Sequence, residues 1–190
     1  MRSTPIPLSS PDITQREIDA VVEVMQTPTL SIGPKVEEFE RKVAMLTKRQ
    51  HGIAVSSGTT GLHCAMIAAG IGPGDEVITT PFSFVASANC ILYVGAKPVF
   101  VDIEPDHYTL DPARVEAAIT PWTTAILAVH VYGHPCRLHE LADIARRHRL
   151  LLLYDAAHAF GVTVGGRSIC SYGDLSMFSF HATKLFHSIE

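Results

Sequence analysis

A chain of 190 residues is sized for one domain, or one domain with part of a second, and is long enough to bury a large core. Its 15 basic and 19 acidic residues leave a net charge of −4 with no basic tail, which gives nucleic-acid binding no electrostatic support. A composition of 47% hydrophobic and 18% charged residues is that of a compact folded chain rather than a disordered one. The densest apolar runs, Ala125 to Val129 and Leu150 to Tyr154, are about five residues long, against the roughly 20 that a membrane-spanning helix requires. The start, Met1-Arg2-Ser3-Thr4-Pro5, leads into no apolar secretion core. Cys64, Cys90, Cys136 and Cys170 form no C-x-x-C pair, so neither a disulfide framework nor a cysteine zinc site is expected, and a reducing cytoplasm is the expected compartment.

Along the chain, Thr14-Gln15-Arg16-Glu17 reads as a capping box, and Ile18, Val21, Val22 and Met25 follow at helical spacing, predicting a helix over 14–26. Thr27 to Pro34 is a turn-rich connection, and Val36, Phe39, Val43 and Leu46 mark a second helix. From residue 52 short apolar runs alternate with amphipathic stretches, the pattern of β-α units around a mainly parallel sheet with helices on both faces. The expected strands are Gly52 to Val55, Glu76 to Thr79, Pro98 to Val101, Thr124 to His130, Leu150 to Tyr154 and Leu175 to Ser179. Leu62, Ala65, Met66 and Ala69 give one intervening helix its apolar face, and Leu138, Leu141, Ala142 and Ala145 give another theirs. Gly72-Pro73-Gly74-Asp75 is a tight turn, and a short hairpin is expected around Gly165-Gly166.

In open α/β sheets ligands sit outside the carboxyl ends of the strands, so the polar residues just beyond each apolar run are the ones that matter. Ser56-Ser57-Gly58-Thr59-Thr60-Gly61 joins a strand to an apolar helix. Gly58 allows a close backbone turn, and the free N–H groups of the new helix with the hydroxyls of Thr59 and Thr60 would attract a phosphate; a plain serine/threonine cap fits the same residues. Asp155 follows the run Leu150 to Tyr154, where a partly desolvated carboxylate needs a cation or several donors, which the backbone of the next turn also supplies. Lys184, in Ser179-Phe180-His181-Ala182-Thr183-Lys184, is the only lysine after Lys97; a solvated surface role is the default for a lone lysine, but its position puts it on the same rim. Pro81-Phe82-Ser83-Phe84 brings aromatic rings to that rim, either as core or as a flat surface for a planar ligand.

One ligand would use all four features, namely a planar aromatic cation bearing a phosphate and an aldehyde, which is pyridoxal 5'-phosphate (PLP). The aldehyde also answers a protonation problem. At its ordinary pKa near 10.4, only about one lysine in a few thousand is unprotonated at pH 7, so a nucleophilic lysine needs a lowered pKa or prior condensation.

The strings SSGTTGLHCAM, GPGDEVITTPFSFVASAN, KPVFVDIEPDHYTLDP, YDAAHAFG and GDLSMFSFHATK, in this order and spacing, resemble the DegT/DnrJ/EryC1/StrS sugar aminotransferases from about residue 10 to the end. The resemblance implies the aspartate aminotransferase-like large domain of fold type I PLP enzymes. It implies a homodimer that moves an amino group from an amino acid, usually glutamate, to a keto carbon of a nucleotide-linked deoxysugar. By the same resemblance Lys184 is the Schiff-base lysine and proton shuttle, and Asp155 the partner of the pyridinium nitrogen. Thr59, Thr60 and Ser179 are phosphate contacts with Gly58 permitting the turn, Phe84 is the stacking aromatic, and His158 stands near the cofactor ring. A sister branch carries histidine in place of this lysine and dehydrates its substrate, so Lys184 points to transamination. Residues 1–50 are then an N-terminal helical segment, and residues 51–190 a PLP-binding large domain that is incomplete at its C-terminus. Members of the family are markedly longer and usually continue with a glycine pair where this chain ends at Ile189-Glu190, so a truncated chain lacking the smaller C-terminal domain is expected.

Two other readings compete. A truncated remnant would keep the sheet and act as an interaction module or not at all. A metal-dependent hydrolase is raised by ten histidines, among them His130, His134 and His139, and by the spacing of Asp155 and His158. Gly133 and Pro135 keep His130 and His134 from sharing a helix face as zinc pairs do, and no metal site is expected.

Overall fold

The structure, a computed structural model, describes Pro7 and residues 9–188, so the Met1-to-Pro5 start and Ile189-Glu190 lie outside the described residues. Helix α1 (Gln15–Met25) begins on the expected capping box, in which the Glu17 carboxylate accepts the Thr14 N–H at 2.7 Å. Helix α2 (Pro34–Thr47) starts on a proline, whose missing N–H costs nothing in the first turn. Past its end, the Arg49 guanidinium donates to the carbonyls of Cys170 at 2.6 Å, Tyr172 at 2.7 Å and Gly173 at 2.6 Å, tying the N-terminal helical segment to the far end of the chain.

The expected first strand, Gly52 to Val55, does not form. The stretch is extended but joins no ladder among the described residues; Ile53 is 80% exposed, and the Ala54 N–H is taken by the Glu40 side chain at 2.7 Å. Apolar alternation identifies a backbone able to pair, whereas a strand also needs a neighbour in register.

The remaining elements run α3 (Gly58–Ala68), β1 (Glu76–Thr79), α4 (Ala86–Tyr93), β2 (Lys97–Phe100), α5 (Pro112–Ala117), β3 (Thr123–Val129), α6 (Leu138–His148), β4 (Leu151–Asp155), the hairpin β5 (Thr163–Val164) with β6 (Arg167–Ser168), and β7 (Leu175–Met177). The other five expected strands are thus present, Glu76–Thr79 with the expected ends and the rest with ends shifted by one or two residues. The hairpin turns on Gly165 and Gly166, both at positive φ (57° and 76°), a backbone that only glycine adopts freely. Helices α4 and α5 are additional to the sequence reading.

Five strands form one parallel sheet in the order β2-β1-β3-β4-β7. Period-2 alternation sends Ile78, Ile126, Ala128, Leu152 and Tyr154 into one core with Leu138, Leu141 and Ile144 of α6. Val77, Ala125, Leu127 and Leu153 go to the opposite face, against Leu62 and Met66 of α3 and Cys90 and Ile91 of α4. A sheet covered on both faces explains why its strands read as unbroken apolar runs. Each fully buried Leu or Ile contributes roughly 1.5–3 kcal/mol. The chain passes from β1 outward to β2 and then returns to place β3 on the other side of β1, so the strand order reverses where open sheets keep their ligand crevice. No helix among the described residues is long and apolar enough to cross a membrane.

Candidate active site

Asp155 is the last residue of β4, and alternation along the strand puts it on the same face as Leu153, toward α3 and α4. It is only 5% exposed. Oδ2 accepts the Ser87 hydroxyl at 2.7 Å, and Oδ1 accepts the Ala157 N–H at 3.1 Å. No salt bridge reaches it among the described residues, so the backbone of the next turn and one hydroxyl answer its charge in place of a resident cation. The Cys90 thiol registers that charge: burial pushes it up to about 12, and the Asp155 carboxylate adds to the rise.

His158 lies within the electrostatic reach of both Asp155 and Lys184. Burial holds its imidazole below the usual pKa, the Lys184 ammonium lowers it further, and the Asp155 carboxylate works in the opposite direction. The acid ending β4 and the amine near the chain terminus therefore both act on one ring. His158 Nδ1 accepts the Tyr132 N–H at 3.2 Å, which leaves its proton on Nε2. Tyr132 lies parallel to it at 6.1 Å and holds a left-handed backbone with φ of 52°, a strained conformation for a bulky residue.

The Lys184 segment is fastened from several sides. Its N–H donates to the His181 carbonyl at 2.8 Å, and the Ser9 hydroxyl donates to the Ala182 carbonyl at 3.0 Å. Phe180 and Phe186, flanking the lysine, pack on each other at 4.9 Å and on Phe160 at 5.2 Å and 5.1 Å, while Phe39 of α2 meets Phe180 at 5.2 Å. Lys184 itself is half-buried.

At the start of α3, Ser57 caps the helix by accepting the Thr60 N–H at 3.1 Å, and its hydroxyl meets that of Thr60 at 3.0 Å. The Gly58 and Thr59 N–H groups have no partner among the described residues and remain as donors of the first turn. A Cβ on Gly58 would lie 3.1 Å from Met177 Sδ and 3.3 Å from Ser179 Cβ, so the missing side chain lets the helix start close against the end of β7, with Ser179 beside it. Glycine closeness, first-turn amides and hydroxyls of Thr59 and Ser179 make a fitting cradle for a phosphate.

Phe84, 73% exposed, stands on the turn between β1 and α4, open to a planar partner. Beside it, Phe82 meets Tyr108 at 6.0 Å and Tyr132 at 6.2 Å. The three histidines weighed as metal ligands are dispersed: His130 is buried and stacked on Tyr154, His134 stacks on His107, and His139 meets the edge of Tyr172. Among the described residues no three His, Cys, Asp or Glu side chains gather as a metal site.

The sequence reading did not single out Ser87 or Tyr132. Ser87 lies in the first turn of α4, four residues after Ser83, a spacing that does not show which strand end it faces. Tyr132 follows β3 at a rim position, where its aromatic character was the only available signal.

The comparisons with known proteins agree on one kinship. Spore coat polysaccharide biosynthesis protein SpsC of Bacillus subtilis (strain 168) is 45% identical over 179 residues, covering 94% of this chain and 46% of its own length. GDP-perosamine synthase of Caulobacter vibrioides is 45% identical over 181 residues, covering 95% of this chain and 49% of its own. The chain thus spans about half the length of these curated relatives. A Streptococcus pneumoniae protein solved in its PLP form superposes with a TM-score of 0.93 at 34% identity, over 96% of this chain and 50% of that one. The parallel sheet with its covering helices is accordingly the PLP-dependent aminotransferase fold, present in part, and PLP is the cofactor of this kind of chain. The cradle, the buried acid and the rim lysine fit the phosphate, the ring nitrogen and the aldehyde of that molecule. With the family profile matching residues 11–190, the chain belongs to the DegT/DnrJ/EryC1/StrS aminotransferase family.

Proposed function

We propose that this chain is the lysine-bearing part of an aminotransferase that moves an amino group from glutamate to a keto carbon of a nucleotide-linked deoxysugar. The observation that carries the reading is the buried Asp155 carboxylate at the end of β4, in register with Met177, against which Gly58 opens α3 beside Ser179. A nucleotide-linked sugar is supported by the likeness to GDP-perosamine synthase.

Bound PLP supplies an electron sink for the carbon that gains or loses the amino group. The chain's own residues do the rest. The N–H groups of Gly58 and Thr59 and the hydroxyls of Thr59, Thr60 and Ser179 bind the phosphate. Asp155, itself buried, would hold a proton at the ring nitrogen by keeping a negative charge beside it. Phe84 covers one face of the ring. His158, uncharged and donating through Nε2, orients groups at the ring edge without adding a second cation beside Lys184. Lys184 Nζ would hold the cofactor at its aldehyde and would move a proton at the reacting carbon. Residues 1–50 serve as an N-terminal helical segment and residues 51–190 as the cofactor-binding domain of a cytoplasmic homodimer.

Pure chain mixed with PLP is expected to develop the visible absorbance band of lysine-bound cofactor, and Lys184→Ala to abolish it. A band that persists unchanged in the variant removes Lys184 from its role.

A further inference from the structure

The Ser87 hydroxyl belongs to none of the cofactor contacts assigned above, yet it makes the shorter of the two hydrogen bonds to Asp155. Ser87 lies in the first turn of α4, is 1% exposed, and donates to Asp155 Oδ2 at 2.7 Å. An ionised carboxylate offers only acceptors, so the single Ser87 proton is committed to Asp155. The 2.7 Å contact between the Ser83 and Ser87 hydroxyls then has Ser83 as its donor. With the Ala157 N–H on Oδ1 at 3.1 Å, each carboxylate oxygen is held by one directed bond, and rotation of the carboxylate would break both. The two serines are four residues apart, Ser83 in the bend before α4 and Ser87 in its first turn, on either side of Phe84 in the chain.

We propose that Ser87 is a positioning residue of the cofactor site. Through Oδ2 it fixes the plane of the Asp155 carboxylate toward the place of the pyridine nitrogen, and Ser83, donating to Ser87, strengthens that bond. The turn that presents Phe84 to one face of the ring therefore also sets the acid at its edge. This inference rests on the proposed role of Asp155 as partner of the ring nitrogen.

The test titrates PLP into the full chain and into Ser87→Ala, Ser87→Thr and Ser83→Ala, reading the dissociation constant and the pH at which the visible band of lysine-bound PLP changes. Loss of a hydrogen bond to a charged group is expected to weaken PLP binding about tenfold in Ser87→Ala. The band midpoint is expected to rise, because a less firmly protonated ring withdraws less charge from the lysine nitrogen. Ser87→Thr, which keeps the hydroxyl, restores both readings, and Ser83→Ala falls between. Wild-type values in Ser87→Ala overturn the inference while leaving the cofactor site standing. So does a Ser87→Thr variant that melts like wild type but binds as weakly as Ser87→Ala. If Ser87→Ala does not fold, Ser83→Ala decides, and wild-type readings there overturn the ordered hydroxyl chain. A wild-type chain that takes up no PLP overturns the functional proposal and this inference together.

Discussion

Asp155 takes its surroundings from two sources that differ in how far they can be read ahead. The Ala157 N–H lies two residues away, and a carboxylate satisfied by the following turn was legible from the sequence. The Ser87 hydroxyl is 68 positions distant and reaches Asp155 only because α4 packs on the face that alternation assigns to Leu153 and Asp155. Lys184 was legible because it follows β7 with a residue type that its chemistry requires. Gly58 was singled out on an expected strand that does not form, yet it still opens α3 against the end of β7, where a Cβ would meet Met177 and Ser179. Ser87 was not, because a serine inside an apolar helix carries no sign of its partner. Asp155→Asn is expected to retain covalent PLP, since the amide keeps the shape of the acid, but to slow conversion of the cofactor by glutamate about hundredfold, the usual scale for losing a preorganised charge. Single-turnover absorbance with glutamate measures this, and an unimpaired rate excludes the charge from catalysis.

Elements were legible where a run carried its own boundary signals. The capping box of α1 and the paired glycines of the hairpin lie where they were expected, because caps and turns are satisfied locally, whereas Pro34, read as part of the connection, opens α2. Gly52 to Val55 failed for the converse reason, since its pairing depends on what lies beside it. Helix α4 was missed because its apolar residues face almost every direction, leaving no stripe to read. Two changes probe how elements are held. Arg49→Ala removes three charged hydrogen bonds between the end of α2 and the loop before β7, and is expected to lower unfolding stability by about 2–3 kcal/mol in urea titration. Arg49→Lys should rescue little, since an ammonium cannot span the carbonyls that a planar guanidinium reaches. Gly58→Ala forces a methyl toward Met177 and Ser179, and is expected to weaken PLP binding more than it weakens folding, as parallel cofactor and urea titrations would reveal.

For the whole molecule, the two cores on either side of the sheet follow directly from strand alternation, which is why the fold class could be read without the site. One buried group gives global stability a pH dependence. His130 is 1% exposed, accepts the Cys136 N–H at 3.1 Å through Nδ1, and is lowered to about 4 by burial, with a smaller contribution from His134. The unfolded chain, with this ring at its ordinary value of 6.5, binds more protons than the native chain between those two pH values. The stabilisation is therefore complete above about pH 6.5 and is lost as the pH falls toward about 4, by about 3 kcal/mol in total. Urea midpoints measured from about pH 7 to about pH 5 should decline accordingly. His130→Asn, whose oxygen can still accept the Cys136 N–H, should flatten that decline to the smaller contribution of His158; an unchanged slope would mean that other groups set it.

The phenylalanine cluster around the lysine bears on motion as well as on packing. Because Phe180 and Phe186 are wedged against Phe160 on either side of Lys184, the main chain there behaves like an axle seated in two bearings. Motion of the amine is then drawn first from its four methylene torsions, which reorient in nanoseconds, before any displacement of the main chain, which would be far slower. Removing the Phe160 ring would take away the contact that Phe180 and Phe186 share, and with it the seat of both residues that flank the lysine.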